Sequence, residues 1–557
     1  MKKSLTILFL IFLTTIINAQ VGYVSVDDEI YNYLERMQTL SIIEDYNSFE
    51  LPKTRREISK HLITITKKHL KLDLIDQQKL VDFINEFEID LINTGINSES
   101  LIPNGGLIYL LNDKEKFIYS YNDSNKVNLF VNLIGKLDYL SQNEFEPIKN
   151  SNSLLYRFGG EVRGSLFNRI GFSASATNGS FKGNKNLAQS FGSLKYNYKF
   201  ITPTGSDLGE SFFDETESFL FLNYDYASLK IGNDRKLIGY GASKLILGDN
   251  APRMEYLQLN LDYKSIHFSS FHGKLLGSNQ SYYNSSEGSI SRITDKYLAY
   301  HRLNFALSKH LNFSFGEMII YSRRNLDISY LNPFNFYKSS EHANQDRDNS
   351  VLFLDIQNNS IDGVKFFSSL LIDDIDFGKV GSGWYGNQTL LNVGVYSTLL
   401  YKYLPVDLEL QYIRIDPYVY THRISDNNFT NLNFNIATNL QPNTSATVFN
   451  LFIRPTQRIN INIGFTYAVH GSNKIDANNN IINYGGDILV GHRIDDKEEV
   501  YFLQGEKEIF RNIKFKTTYE PIKNWIFSLD INYFNNSLAT SQFEKYFFTN
   551  FSLYTKI

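Results

Sequence analysis

Cysteine is absent from all 557 residues. That excludes disulfides, thiolate metal sites, a catalytic thiol and a lipid-modified N-terminal cysteine. Long apolar runs are nearly as scarce. Past residue 19 no stretch approaches the roughly 20 apolar residues a spanning helix needs, and mean hydropathy is −0.27. Basic charge is not in excess either: 55 Lys and Arg stand against 59 Asp and Glu. Nucleic-acid binding, which draws its electrostatic term from a basic surface, has no support here. No GxSxG, HExxH or P-loop motif occurs, and no nucleophile stands beside a base. His301, His422 and His470 share no ligand spacing, and Asp373, Asp374 and Asp376 fit no EF-hand loop. The chain therefore reads as a non-enzyme with no cofactor and no metal.

What is present begins with a leader. Lys2 and Lys3, an apolar run from Leu5 to Ile17 and the small Ala19 describe a secretory signal over residues 1–19, cleaved before Gln20. Residues 24–91 follow with helical periodicity. Asp27 and Asp28 precede a stripe of Ile30, Tyr33, Leu34, Met37 and Leu40. Thr54 and Glu57 form a capping box for a second helix carrying Ile58, Leu62 and Ile65. Asp76 is expected to cap a third, with Leu80, Val81, Ile84, Phe87 and Leu91 on one face. The expected unit is a small periplasmic helical bundle over 20–95.

From residue 96 to 557 aromatic alternation takes over, and Tyr (37) and Phe (43) supply most of the large apolar side chains. Val127, Leu129, Val131, Leu133, Leu137 and Tyr139 oppose Asn128, Asn132, Lys136 and Asp138. Ile459 to Tyr467 and Trp525 to Tyr533 repeat the pattern, and the chain ends on Phe547, Thr549, Phe551, Leu553, Thr555 and Ile557 in phase. A period of two over roughly ten residues, with a terminal amphipathic strand, predicts an all-β transmembrane barrel, apolar outside and polar in the lumen. Closure is required because an open edge in lipid leaves backbone groups unpaired. The length accommodates on the order of 16 to 20 antiparallel strands, even in number.

Connection lengths assign the ends. Short turns at 262–264, 308–310, 359–363, 402–405, 455–457 and 520–523 fall on one side, expected to be periplasmic. Long connections fall on the other: 235–253, 276–295, 323–348, 373–386, 417–445 and 470–509. Ahead of residue 217 the alternation of sides is not resolved. On two strands the apolar face runs into charge at the outer end, at Glu317 and at Arg414 and Asp416. Either a bulge turns these inward or they clear the lipid at the external rim, where Arg414 and Asp416 could pair with Glu317 or neighbouring loops.

Several stretches carry a family resemblance: YVSVDDEIYNYLERM, LPKTRREISKHL, IGNDRKLIGYGASKLILGDNAPRMEYLQL, AYHRLNFALSKHLNFSFGEMIIYSRRNLDISYLNPFNF, DLELQYIRIDPYVYTH and NYGGDILVGH. In order and over nearly the whole mature chain, they resemble the Wzi family of outer-membrane capsule-assembly proteins. The resemblance implies a barrel of about eighteen strands with a periplasmic helical bundle, acting as a lectin that attaches capsular or related polysaccharide to the cell surface.

The residues are compatible with that role. Sugars are held by planar hydrogen bonding from Asp, Asn, Arg and His and by aromatic faces against C–H-rich sugar faces. Candidate binding residues in or beside the outer connections are Arg253, Glu317, Arg323, Arg324, Tyr330, Asn332, Asp348, Asn349, Arg414, Asp416, Tyr418, Tyr420, His422, His470 and Asp487. Expected partners are surface polysaccharide, outer-membrane lipid and, through the helical bundle, periplasmic export machinery. The alternative is a porin or transporter in which the same loops constrict an open lumen and the helices gate it.

Overall fold

A computed structural model of the chain describes residues 22–91, 118–122, 127–145, 148–196 and 211–557, except 249, 287, 346, 540 and 541. The expected leader and the expected boundary between helical unit and barrel, at 95 and 96, lie outside the described residues.

Three helices of ten residues or more form the body of the N-terminal unit: α1 (Ile30–Thr39), α2 (Arg55–Lys67) and α3 (Leu74–Glu86). Their apolar stripes meet in one core in which Ile30, Leu34, Met37, Ile58, Leu62 and Ile65 are inaccessible to solvent. The Thr54 cap forms, its hydroxyl accepting from the Glu57 N–H at 3.1 Å, while the Glu57 carboxylate meets Lys53 at 3.3 Å. The third cap differs from expectation. Asp73, not Asp76, accepts the first-turn N–H, which leaves the buried Asp76 to receive Arg36 Nε at 3.0 Å. The inward face of α3 is also rotated from the expected one: Phe83 is buried and Val81 is 54% exposed.

The alternating segments form eighteen antiparallel strands. The first nine are β1 (Val127–Phe145), β2 (Ile148–Leu166), β3 (Ile170–Gly183), β4 (Ser211–Asn223), β5 (Ala227–Arg235), β6 (Arg253–Tyr263), β7 (Ile266–Asn284), β8 (Gly288–Ser308) and β9 (Leu311–Ser322). The rest are β10 (Asn349–Ile361), β11 (Val364–Asp374), β12 (Gln388–Ser397), β13 (Val406–Ile415), β14 (Thr444–Thr456), β15 (Ile459–Ser472), β16 (Glu506–Ile522), β17 (Trp525–Ser537) and β18 (Phe543–Lys556). Each pairs with its sequence neighbour, and β18 closes on β1 from Tyr546 opposite Glu144 to Lys556 opposite Ile134. A further short strand, Ile118–Asn122, pairs with the first residues of β1 that β18 does not reach.

The helical unit sits at the end of the barrel where the connections are short. Gly363, in the β10–β11 turn, donates its N–H to the Thr39 carbonyl at 2.8 Å, and Lys523, in the β16–β17 turn, meets Glu86 at 3.1 Å. A buried ion cluster fastens the unit deeper. Arg36 reaches both Asp76 and Asp407 of β13, and Asp407 also receives Arg454 of β14 and the Tyr396 hydroxyl at 2.8 Å.

At the opposite end the long connections do not all stand outside as expected. Residues 279–284 of β7 pair with 288–293 of β8 as a hairpin. The β5–β6 and β13–β14 connections turn into the lumen. Leu237–Ile238 pairs antiparallel with Glu50–Leu51 of the helical unit, and Gly248 donates to the Ile436 carbonyl at 3.1 Å. A Cβ at Gly248 would lie 1.8 Å from the Ala437 carbonyl oxygen, so only glycine lets these two connections cross.

Phe49, Tyr240, Leu247, Val419, Tyr420 and Ile436 from the three inserted segments join Leu298, Met318, Phe353 and Ile413 from the wall in a single apolar core. The lumen is thus not uniformly polar. Polar wall residues serve the inserted segments instead: Arg302 takes Asp355 through two bonds of 2.7 and 2.8 Å and lies 4.3 Å over the Phe49 ring.

No bulge turns the charges on the lipid-facing stripe inward. Both β9 and β13 keep regular register through these positions, so Glu317 and Arg414 face outward with the stripe. Glu317 is 4% exposed because the β9–β10 connection folds down over it. Arg414 lies 4.0 Å over the Phe502 ring and meets Asp416 at 2.8 Å. Three strands, β10 to β12, separate Glu317 from Arg414, and the two do not pair.

Candidate functional site

The predicted site residues fall into five places, and most of them hold connections together. The first is the β9–β10 connection, which contains two short helices, Ile328–Leu331 and Tyr337–Ala343. Arg324 clasps Asp348 through two bonds of 2.6 Å, and the Tyr330 hydroxyl donates to the same carboxylate at 2.8 Å. Arg323 adopts φ +60 and reaches Asp426 at 2.6 Å, while Asn349 donates to the Asn427 carbonyl at 3.0 Å. Glu317 accepts the Tyr337 N–H at 2.8 Å and stands 3.1 Å from His301 Nε2. Asn332 turns the chain between the helices, accepting from the Phe334 N–H at 3.2 Å.

The second place is the inserted β13–β14 connection. Tyr418 and Tyr420 are inaccessible and both adopt positive φ. Tyr420 donates its N–H to Asp373 at 2.7 Å and its hydroxyl to the Leu245 carbonyl at 2.6 Å. His422 Nδ1 accepts the Ile424 N–H at 3.0 Å. Burial pushes the Tyr418 and Tyr420 phenols up, so both remain neutral hydrogen-bonding groups.

Arg414 and Asp416 form the third place, with Asp416 also taking the Thr389 hydroxyl at 2.6 Å. The fourth is the end of β15 and the β15–β16 connection, where buried His470 of β15 meets the Thr444 hydroxyl at 3.1 Å and Asp487 of the connection caps a turn by accepting the Leu489 N–H at 2.9 Å. The fifth is in the lumen. Arg253 meets Glu217 at 2.5 Å and Glu215 at 3.1 Å, on the wall of a cavity of about 260 Å³ that also receives Lys136, Arg157 and Asp234.

One constellation escaped sequence reasoning. The β11–β12 and β15–β16 connections pair at the rim: Trp384 bridges Glu499, Tyr385 N–H donates to the Glu498 carbonyl at 2.9 Å, and Val500 N–H donates to the Gly383 carbonyl. This sets out a row of rings. Trp384 lies 5.5 Å from Tyr385, and Tyr385 stacks on His492 at 3.4 Å and 7°. Tyr418 supports the row from beneath, 5.5 Å from His492.

Beside the row, the half-exposed Arg493 grips Asp496 through Nε and Nη2, and Asn483 donates to Asp496 at 2.8 Å. The Arg493 bonds hold the Asp496 carboxyl below the usual range although its partial burial opposes this. Planar rings, a guanidinium and a carboxylate on one accessible surface make a set capable of stacking on and hydrogen-bonding to a sugar. The available signal was that Trp384 is one of only two tryptophans and sits among glycines. The pairing of two connections about a hundred residues apart has no local signature.

Among the described residues no cluster of metal-ligating side chains occurs. No family model matches the chain, and no curated protein does. Solved structures do. The carbohydrate-binding barrel Wzi of Escherichia coli, involved in group 1 capsule assembly, aligns over 96% of this chain and 99% of its own, with a TM-score of 0.54 and 11% identity. OccAB2 of Acinetobacter baumannii (TM-score 0.44, 13% identity) and OprD of Pseudomonas aeruginosa (0.43, 10%) each cover 77% of this chain, over 98% and 94% of their own lengths. The chain has a Wzi-like fold, a closed eighteen-stranded barrel of the outer-membrane type.

Proposed function

We propose that the protein binds capsular or other exported polysaccharide at the cell surface through the loop end of the barrel. In this reading residues 1–19 are removed on export, the short turns and the helical unit face the periplasm, and the long connections face outward. The observation that carries the reading is the filled lumen. Three inserted segments and the wall share one apolar core, which supports reading the loop end as a braced platform. On that platform Trp384, Tyr385, His492 and Arg493 are presented by connections that pair with each other. Rigid support matters because sugar affinity is built from several weak contacts that must be held in place beforehand.

The clasps formed by Arg324 with Asp348, and by Arg323 with Asp426, act in this reading by fixing the connections around the platform. The E. coli Wzi barrel, a carbohydrate binder by its description, supports the assignment through its fold. On the helical unit Leu70, Leu74 and Val81 are 84%, 70% and 54% exposed, a surface suited to a periplasmic export partner.

A second reading, a channel, is favoured by the charged cavity beside the plug, lined by Lys136, Arg157, Arg253, Glu161, Glu215 and Glu217. One preparation separates the two readings. Purified protein in planar bilayers should show no stable conductance while binding polysaccharide from its own cell surface. Steady conductance without binding would reverse the assignment.

A further inference from the structure

The β9–β10 connection lies on the outside of the barrel wall. Its inner face packs on the outward residues of β8 and β9: Tyr330 and Tyr337 join Ala299, Ile319 and Tyr321, all at most 1% exposed. Beneath it are also polar groups that would otherwise face hydrocarbon. Glu317 is held by the Tyr337 N–H and His301, and His272 Nε2 meets the Tyr321 hydroxyl at 2.8 Å. The connection is therefore a lid over a polar patch on the lipid side.

The outer face of this lid is apolar except at Asn332. Within residues 326–336, Leu326, Ile328, Leu331, Phe334 and Phe336 are 53%, 81%, 39%, 64% and 65% exposed. The lid is continuous with the lipid-facing stripe. Phe334 stacks at 5.2 Å and 16° on Phe268, an outward residue of β7, and the stripe goes on along β9 and β10 through Phe315, Leu352, Leu354 and Ile356, each 40–41% exposed. Asp327, the acidic residue within 326–336, is turned inward to Arg324 and to the Ser329 N–H.

We propose that residues 326–336 are embedded among the acyl chains of the outer leaflet, extending the lipid-facing wall above the strands and sealing Glu317 and His301 from lipid. Acyl chains are the occupant because the exposed side chains are hydrocarbon apart from Asn332, contiguous with a wall that itself meets acyl chains, and backed by groups that hydrocarbon cannot solvate.

Because the chain has no cysteine, single-cysteine variants can be labelled with a polarity-sensitive fluorophore without further change. Ile328→Cys, Phe334→Cys and Phe336→Cys would be compared in vesicles of brominated phosphatidylcholine with Leu354→Cys on the stripe and with Ile494→Cys, which is 100% exposed on a loop. Each variant is first checked for the gel-mobility shift of a folded barrel on heating, and three lid positions guard against one that fails to fold. Quenching at the lid positions at least half that at 354, with none at 494, is expected. Lid positions that behave like 494 would overturn the proposal. So would labels shielded from both bromolipid and aqueous iodide, a result that assigns the patch to a second copy of the chain. Loss of quenching at 354 as well would overturn insertion of the barrel itself.

Discussion

Arg324 and Asp348 stand at the two ends of the β9–β10 connection and close it on itself through paired bonds of 2.6 Å. The carboxylate is inaccessible, and the Tyr330 hydroxyl donates a third hydrogen bond to it. Removing one member of a buried ion pair strands the other and costs about 3 kcal/mol or more. Asp348→Ala is therefore expected to release the lid while the strands hold. Protease cleavage within 323–348 on intact cells should rise at least tenfold, with the heat-dependent gel mobility of the barrel unchanged. Wild-type cleavage would show that the aromatic contacts of Tyr330 and Tyr337 suffice.

Asp407 carries the docking of the helical unit, since Arg36, Arg454 and Tyr396 all converge on it. Asp407→Asn leaves Arg36 with Asp76 as its one carboxylate partner in the cluster and turns Arg454 onto a neutral amide, a loss on the order of 3 kcal/mol. The expected result is an N-terminal unit that becomes accessible to protease from the turn side, measured on outer-membrane vesicles opened by freeze–thaw, with the barrel still folded. Undiminished protection would place the docking energy in the insertion of Phe49 and its apolar neighbours.

Trp384→Ala and Tyr385→Ala each remove one ring from the half-buried row. A stacked aromatic contributes roughly 0.5–1.5 kcal/mol beyond its buried area, and 1.4 kcal/mol is about tenfold in affinity. Polysaccharide binding should weaken about tenfold for either variant, read by pull-down or calorimetry, with thermal stability within a few degrees of wild type. Replacing Arg323 by Ala, away from the row, should change affinity less than either.

Acid should loosen the loop end in a narrow window. Burial would raise the Asp426 carboxyl, but hydrogen bonds from Ser278 and Arg323 outweigh it and hold the group below its ordinary value. A depressed folded value means that the stabilisation is complete above the unfolded value of about 3.9 and is lost as pH falls through the folded one. Hydrogen exchange at the Ser278 amide, which donates to Asp426 at 3.2 Å, should stay protected at pH 5. After correction for intrinsic rates, protection should fall only below about pH 4. In Asp426→Asn that step should vanish.

The sequence alone determined the elements that depend on near neighbours. Alternation over ten residues decides which side of a strand meets lipid, and it foretold the outward faces of β1, β15, β17 and β18. Connection length told the two ends of the barrel apart from residue 217 onward, and the Thr54 cap emerged because its partners are three residues apart. Only the tertiary structure decided where the long connections go. Nothing local in residues 236–252 or 416–443 distinguishes a loop in water from a segment folded into the lumen. That depends on Gly248 meeting Ala437 and on Tyr240 meeting Phe49, contacts separated by roughly two hundred residues whose closure is offset only by burial of the whole core. The same holds for the candidate site. Arg324, Tyr330 and Asp348 were legible as chemistry capable of holding a sugar, but folding makes them one another's partners, since a buried carboxylate must be satisfied from within. The row of Trp384, Tyr385 and His492 exists only because two distant connections pair edge to edge at the rim.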